Sequence, residues 1–240
     1  ATDQIAQAYL FCGPRGVGKT TCARIFAKAV NQVGQTEDGE MAFNIFELDA
    51  ASNNSVEDIR NIVDTVRIPP QVGKYKVYII DEVHMMTKDA FNALLKTLEE
   101  PPEYAYFILA TTEREKVPDT IQSRCQQFLF RKVKDDDIIV RLQFIVEKEG
   151  IHIDREALRM IAHHANGSFR DGISLLDQLR SLETISVHDI EERLGISMHA
   201  VIEEMMQAIE KQDAQHVHSI IQKIEENGFP PDLFLATFIE

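Results

Sequence analysis

The chain has 240 residues, of which 44% are hydrophobic, and a formal net charge of −14 at pH 7. This length predicts one larger domain with one or two small ones, and the acidity excludes a protein that holds nucleic acid by bulk electrostatics, so that any DNA contact should be local. No apolar run approaches the ~20 residues of a membrane-spanning helix, and the first eight residues lack a secretory signal, so we expect a cytoplasmic protein without a membrane partner.

The first two-thirds of the chain alternates apolar runs with helical patterns. This alternation predicts an α/β fold, a parallel sheet of about five strands covered by helices. Most of the candidate strands are largely apolar, as is typical of parallel strands buried on both faces. They are residues 9–12, 45–48, 77–80, 106–110 and 127–130.

Two of the predicted helices have clear start and stop signals. Ser55, followed three residues later by Asp58, predicts a helix N-terminus, and this helix should end before Pro69. Thr87 predicts the start of the next helix, which should end before Pro101.

The strand pattern disappears from Asp135 onward, and three amphipathic stretches follow. Gly150 and Gly167 fall where helices should end. The sequence therefore predicts an α/β domain over 1–131, a small helical domain over 132–196 and a further, partial helical domain over 197–240.

The glycine-rich segment 13–20 fits the pattern G-x-x-x-x-G-K-[ST] and stands between an apolar strand and a helix. Its glycines let backbone N–H groups curl around phosphates, and the positive end of the helix dipole points at the same anion. Lys19 would contact the β- and γ-phosphates of ATP, and Thr20 would hold Mg²⁺. The alternative is a glycine-rich hairpin with a solvated lysine. The residues assigned to the nucleotide are Gly13, Pro14, Arg15, Gly16, Val17, Gly18, Lys19, Thr20 and Thr21.

Asp81 and Glu82 follow the apolar strand 77–80. Asp81 would lie beside the Mg²⁺ ion, and Glu82 could polarise an attacking water. Alone, such an acidic pair is more often a helix cap or a turn, but the preceding phosphate loop favours hydrolysis. His84 could couple hydrolysis to a neighbouring group or be an exposed loop residue.

Three further residues are candidates for catalysis. Thr112 and its neighbour Thr111 end the next strand, at the sheet edge where ligands gather, and one of their hydroxyls could orient the water or contact the γ-phosphate, or both could belong to an ordinary turn. Arg124 and Arg170 carry the planar, always ionised group that suits a transferring phosphoryl group. Taken alone, each arginine is more often a surface ion-pair partner.

These motifs occur in the order seen in AAA+ clamp loaders. Several strings, including Phe46 to Ser52, Tyr78 to Met85 and Leu94 to Pro102, resemble the bacterial gamma/tau family of DNA polymerase III, and the resemblance runs from about residue 8 to 195. It implies an ATP-hydrolysing motor subunit that loads a sliding clamp onto primed DNA and does not itself polymerise.

The resemblance also implies partners and roles. The partners would be other clamp-loader subunits in a hetero-oligomeric ring, the sliding clamp, primer–template DNA and the polymerase holoenzyme. Residues 132–196 would be the helical lid and 197–240 the start of an all-helical collar. Thr112 matches the first sensor, Arg170 the second sensor, and Arg124 the arginine finger that enters the adjacent subunit's ATP site. The segment 52–60 would face DNA, through a helix N-terminus near Ser55, and 84–95 would press on the clamp.

The sequence departs from this family in two places. Family members usually carry a four-cysteine zinc module after the first helix, but residues 30–43 contain no cysteine, so we expect no zinc. The family also begins with a longer segment that packs on adenine, whereas twelve residues precede Gly13 here, so we expect weak nucleotide affinity.

Three other functions are alternatives to this interpretation. Another AAA+ machine, such as a branch-migration motor or a protein unfoldase, would need its own pore or hairpin elements, and no aromatic pore loop is evident. A non-catalytic scaffold subunit is disfavoured by intact Lys19, Thr20, Asp81 and Glu82. A small GTPase is disfavoured because the guanine-reading Asn-Lys-x-Asp motif is missing.

Overall fold

The computed structural model describes residues 5–31, 44–71, 73–195, 198–226, 234–235 and 238–239. The chain divides into two units, Ala1–Arg131 and Lys132–Glu240. The further division of the second unit into a lid over 132–196 and a collar over 197–240 stays a prediction.

The first unit contains a five-stranded sheet in the order β2-β3-β4-β1-β5, and every pairing is parallel. The predicted α/β class is confirmed, and each predicted strand differs from the observed one by at most one residue at either end. The strands are β1 (Ala8–Cys12), β2 (Ile45–Asp49), β3 (Lys76–Asp81), β4 (Ala105–Thr111) and β5 (Gln126–Leu129).

Helices cover both faces of this sheet. They are α1 (Lys19–Val30), α2 (Val56–Val66), α3 (Lys88–Glu99) and the short α4 (Asp119–Gln122). In β3, Tyr78 packs in the cluster that contains α2 and α3, whereas its neighbour Val77 packs in the cluster that contains α1. This alternation is the period of two that a strand imposes, and it explains why the central strands are apolar along most of their length, on both faces.

The edge strand β5 differs from the three central strands. All residues of β1 and β4 are buried, but all four residues of β5 are exposed, including Phe128 and Leu129. Gln126 and Gln127 distinguish this edge strand from the more apolar strands at the centre of the sheet.

The predicted helix starts in this unit are confirmed. The Ser55 hydroxyl accepts from the Asp58 N–H, and the Asp58 carboxylate accepts from the Ser55 N–H, each at 3.2 Å. The Thr87 hydroxyl accepts from the Ala90 N–H at 3.3 Å. These bonds satisfy N–H groups that have no partner within their own helix.

The described part of the second unit is helical, as predicted. One apolar cluster runs from Ile138 in the first helix to Ile224 in the last described helix. Gly150 ends the first helix with φ of +67°, in the left-handed conformation that glycine favours. The helices are α5 (Asp135–Glu149), α6 (Arg155–His164), α7 (Phe169–Leu179), α8 (Val187–Leu194), α9 (Met198–Glu210) and α10 (Ala214–Glu226). Among the described residues, none of the helices has the length and apolarity needed to cross a bilayer.

Candidate nucleotide-binding site

The carboxyl ends of β1, β3 and β4 meet at one edge of the sheet. These strands are neighbours and parallel, and Cys12 at the end of β1 is paired with Thr111 at the end of β4. The Gly13 N–H donates to the Thr111 carbonyl at 3.1 Å, so the loop after β1 starts against β4. This edge is where open α/β sheets bind ligands.

Two glycines let the loop between β1 and α1 fold tightly. Gly13 has φ of +153°, and a Cβ at this position would lie 2.3 Å from the Phe130 carbonyl oxygen. Gly18 has φ of +98° and directly precedes the first residue of α1. Any other side chain would clash at the first position and strain the backbone at both.

The start of α1 is suited to an anion. Among the described residues, no side chain caps this N-terminus, and the first turn of the helix carries no acidic residue. The positive end of the helix dipole therefore faces the glycine loop without a competing carboxylate from its own turn.

Lys19 is the first residue of α1 and is only 6% exposed. Its Nζ donates to the carbonyls of Gly13 and Pro14 at 2.9 and 2.8 Å. The ammonium therefore lies across the loop that would surround the phosphates, and the alternative of a solvated hairpin lysine does not fit this burial.

Thr20 and Asp81 come together from two different elements. The Thr20 hydroxyl, in α1, donates to Asp81 Oδ2, at the end of β3, at 2.5 Å. The other Asp81 oxygen accepts from the Glu82 N–H at 2.9 Å. A hydroxyl and a carboxylate are hard oxygen ligands that suit Mg²⁺, which usually takes one or two protein groups and completes its shell with water and phosphate oxygens. The residues present fit that ion.

Glu82 and Thr112 meet across the ends of β3 and β4. The Thr112 hydroxyl donates to Glu82 Oε2 at 3.1 Å. Glu82 has φ of +48°, an unfavourable backbone conformation for a residue with a Cβ. We refer to Lys19, Thr20, Asp81, Glu82 and Thr112 as the strand-end cluster.

The remaining predicted loop residues surround this cluster at the start of α1. Val17 is buried, Gly16 and Gly18 are half-buried, and Pro14, Arg15 and Thr21 are exposed. Their assignment to the nucleotide stays a prediction.

Sequence reasoning missed one member of this edge, Glu113, and did not predict that Thr111 bonds to it. The Glu113 N–H donates to Thr111 Oγ1 at 3.0 Å, and Thr111 is fully buried. The available signal was the acidic residue that directly follows Thr112 at a strand end, the same kind of signal that identified Asp81.

The two predicted catalytic arginines are held by different parts of the chain. Arg124 follows α4; its Nη2 pairs with Glu99 Oε1 and its Nη1 donates to the Thr120 carbonyl, each at 2.5 Å. Arg170 is the second residue of α7, in the other unit, and is exposed. The roles of both arginines stay predictions.

Burial raises the pKa of two cysteine thiols beside this edge. Cys125 is buried, and burial, with a smaller contribution from Cys12, raises its pKa to about 12. Burial also raises the pKa of Cys12, against the opposing charges of Arg114 and Lys19. Both thiols are therefore protonated and unreactive at neutral pH, whereas Cys22 is exposed.

Comparison with known proteins identifies the chain's family. The family model for the DNA polymerase III delta subunit matches residues 1–134, and the model for the ATPase lid domain of the DNA polymerase III clamp loader subunit matches 137–179. The chain belongs to the DNA polymerase III clamp-loader subunit family. Its relatives in that family include the gamma/tau subunit of Mycoplasma genitalium, 41% identical over 97% of this chain, and the tau subunit of Bacillus subtilis, 41% identical over 98%. The resemblance to gamma/tau subunits seen in the sequence is confirmed.

This clamp-loader chain spans less than half the length of those two relatives, 42% and 45% respectively. Its fold is also similar to that of the Thermotoga maritima RuvB Holliday junction branch migration motor, with a TM-score of 0.61 at 20% identity over 85% of this chain and 70% of that one. At this identity the likeness shows the fold alone. The sequence relatives, not the fold, distinguish a clamp-loader subunit from a branch-migration motor.

The segment in which zinc ligands would occur is mostly outside the described residues. Of residues 30–43, the structure describes only 30 and 31. The expectation of no zinc therefore rests on the missing cysteines and stays a prediction.

Proposed function

We propose that this chain is the ATP-hydrolysing motor segment of a clamp loader that places a sliding clamp on primer–template DNA. The observation that supports the proposal is the strand-end cluster. It sets a phosphate-loop lysine, two oxygen ligands suited to Mg²⁺ and a carboxylate able to orient water around one sheet edge.

Binding would begin at the glycine loop. Lys19 would exchange its bonds to the Gly13 and Pro14 carbonyls for bonds to the β- and γ-phosphates, while loop N–H groups and the start of α1 stabilise the same negative charge. Thr20 and Asp81 would hold Mg²⁺. When bound, Mg²⁺ would neutralise charge that develops on the phosphate oxygens.

Hydrolysis would depend on Glu82. Its carboxylate would accept a hydrogen bond from the attacking water and withdraw the proton as the oxygen bonds to the γ-phosphorus, releasing ADP and phosphate. Thr112 donates to Oε2 of that carboxylate and so restricts its rotation. Both groups come from the ends of adjacent strands, which keeps their separation constant.

The assembly is proposed from family membership together with the position of Arg124. Its guanidinium is 32% exposed and is held by Glu99 rather than by the strand-end cluster. This placement leaves it available to the ATP site of a neighbouring subunit in a hetero-oligomeric ring, as an arginine finger would be. Arg170 would contact nucleotide from the lid as the second sensor. The other proposed partners are the sliding clamp, primer–template DNA and the polymerase holoenzyme, in the cytoplasm.

One expected detail of DNA binding does not fit the structure. We expected the N-terminus of α2 near Ser55 to meet a DNA phosphate through its dipole. Ser55 and Asp58 already cap that N-terminus, and Glu57 and Asp58 place two carboxylates in its first turn. These charges repel a phosphate, so a DNA contact by the segment 52–60 would have to use other groups.

The test is steady-state ATP hydrolysis by the full-length protein with its clamp-loader partners, with and without clamp and primed DNA. We expect clamp and primed DNA together to stimulate hydrolysis. Hydrolysis that is equally fast without either would contradict the clamp-loading function while leaving an AAA+ ATPase.

A further inference from the structure

His84 is a buried histidine that lies beside the strand-end cluster. The hydrolysis mechanism proposed above does not use it. It lies in the short helical turn Val83–Met85 that follows Glu82, and its side chain is only 6% exposed. The alternative of an exposed loop histidine is therefore wrong. A buried imidazole needs partners for both ring nitrogens.

The first nitrogen of the His84 ring bonds to a carboxylate. Nε2 lies 3.1 Å from Glu113 Oε1. Because a carboxylate only accepts hydrogen bonds, Nε2 must carry the hydrogen. The other Glu113 oxygen pairs with Lys116 Nζ at 2.7 Å, and this bond lowers the pKa of Glu113. Glu113 is therefore an ionised and doubly bonded anchor for the ring.

The second nitrogen faces the strand ends. Nδ1 lies 3.0 Å from Thr111 Oγ1 and 3.5 Å from Glu82 Oε2. Nδ1 shares a hydrogen bond with the Thr111 hydroxyl, which itself accepts from the Glu113 N–H. The buried hydroxyl therefore has two hydrogen-bond partners. This arrangement also places the ring edge against the same Glu82 oxygen that Thr112 bonds.

The backbone conformation of Glu82 is unfavourable, so contacts with neighbouring side chains must hold this residue in place. Its φ of +48° is one that residues with a Cβ adopt only when the surroundings require it. Among the residues that the structure describes, its carboxylate accepts one hydrogen bond, from Thr112, and its Oε2 lies 3.5 Å from His84 Nδ1. Without the ring, the carboxylate could rotate into the space that His84 fills.

We propose that His84, anchored by Glu113, is a positioning residue that holds the Glu82 carboxylate in its productive orientation. The inference rests on the proposed role of Glu82. The ring does not touch the reacting atoms; it restricts Glu82 and fixes Thr111, the residue that precedes Thr112. His84 should therefore affect the rate of the chemical step and not nucleotide affinity.

The test compares three replacements of His84 in the full-length protein assembled with its partners, using ATP as the probe. We expect His84→Ala to lower kcat about 10- to 100-fold with KM unchanged, since small misplacements of a catalytic group cost that much. His84→Gln can place an amide N–H where Nε2 lies and should stay within a few-fold of the parent. His84→Asn is a matched, shorter amide that cannot contact Glu113, and it should behave like His84→Ala.

Glu113 provides a second test that does not depend on a core substitution, because its side chain is 39% exposed. Glu113→Ala should also lower kcat without changing KM. Adding Glu113→Ala to His84→Ala should cause little further loss, because both changes remove one interaction. His163→Ala is the matched control. That residue also pairs with a carboxylate, Asp135 Oδ2 at 2.9 Å, and we expect its loss to leave kcat unchanged.

Glu82→Gln, measured in parallel, separates the two proposals. If Glu82→Gln hydrolyses ATP normally, the proposed function of this edge fails. If Glu82→Gln is inactive but His84→Ala keeps the parent kcat, only the positioning role of His84 is overturned. Equal kcat for His84→Gln and His84→Ala, or fully multiplicative losses in the double variant, would overturn the anchoring by Glu113.

Discussion

The strand-end cluster and Arg124 belong to the same unit but differ in their partners. The cluster's side chains bond to groups of the same sheet edge, whereas Arg124 bonds elsewhere. Lys19, Thr20 and Thr112 each donate to a group of this same edge, at distances between 2.5 and 3.1 Å. Arg124, among the described residues, bonds to Glu99 and to the Thr120 carbonyl in α4 instead. A group that serves its own nucleotide can be fixed by its own fold. A group that serves a neighbour's nucleotide must stay accessible until that neighbour is present, which is the contrast expected if Arg124 acts between subunits.

The largest effect should come from the strand-end cluster. Lys19→Ala removes the ammonium that would contact two phosphates, and each lost bond to a charged group costs about 1.5–3 kcal/mol. We expect nucleotide affinity, measured by titration with a fluorescent ATP analogue, to fall about 100-fold or more. The rate of ATP hydrolysis should fall as a consequence.

Lys28→Ala is the control for Lys19→Ala, because Lys28 is an exposed lysine in the last turn of the same helix. It should bind nucleotide like the parent. If Lys19→Ala binds nucleotide as tightly as the parent, the glycine loop is not part of the nucleotide site. The contrast between a cluster that binds the chain's own nucleotide and an Arg124 that serves a neighbour's would then be wrong.

Arg124→Ala should spare binding and remove hydrolysis only in the assembled ring. An arginine finger is worth about 10³-fold or more in kcat because it stabilises charge in the transition state. The measurements are nucleotide affinity of the single subunit and kcat of the assembly. Arg67→Ala, which removes an exposed arginine paired with Asp64, is the control. Loss of binding in Arg124→Ala as large as in Lys19→Ala would contradict a role in a neighbouring site.

Most of the fold could be predicted because its signals are local. Apolar runs located all five strands, and the Ser55 and Thr87 hydroxyls located two helix starts. The phosphate loop and Asp81 were predictable for the same reason, since a strand, a glycine turn and a helix are consecutive in the chain.

The missed features depend on contacts between distant parts of the chain. His84 and Glu113 are 29 positions apart, and only the pairing of β3 with β4 brings them together. Arg124 and Glu99 are likewise 25 positions apart. The exposure of Phe128 could not be predicted from its own apolar side chain, although Gln126 and Gln127 make β5 more polar than the central strands. Sequence alone located the chemical groups but not the partners that orient them.

Glu99→Gln should have the smallest effect and decides between two interpretations of Arg124. If the Arg124–Glu99 pair is a surface contact that releases the arginine to a neighbour, its loss should change the free energy of unfolding by about 1 kcal/mol or less, because side chains that are 32% and 48% exposed are well screened. Urea denaturation measures this change, with Glu100→Gln as the control at the adjacent exposed position. A destabilisation of about 3 kcal/mol or more would mean that the pair supports the fold. Arg124 would then be a structural residue. The loss of hydrolysis in the assembled ring of Arg124→Ala could not be attributed to removal of an arginine finger.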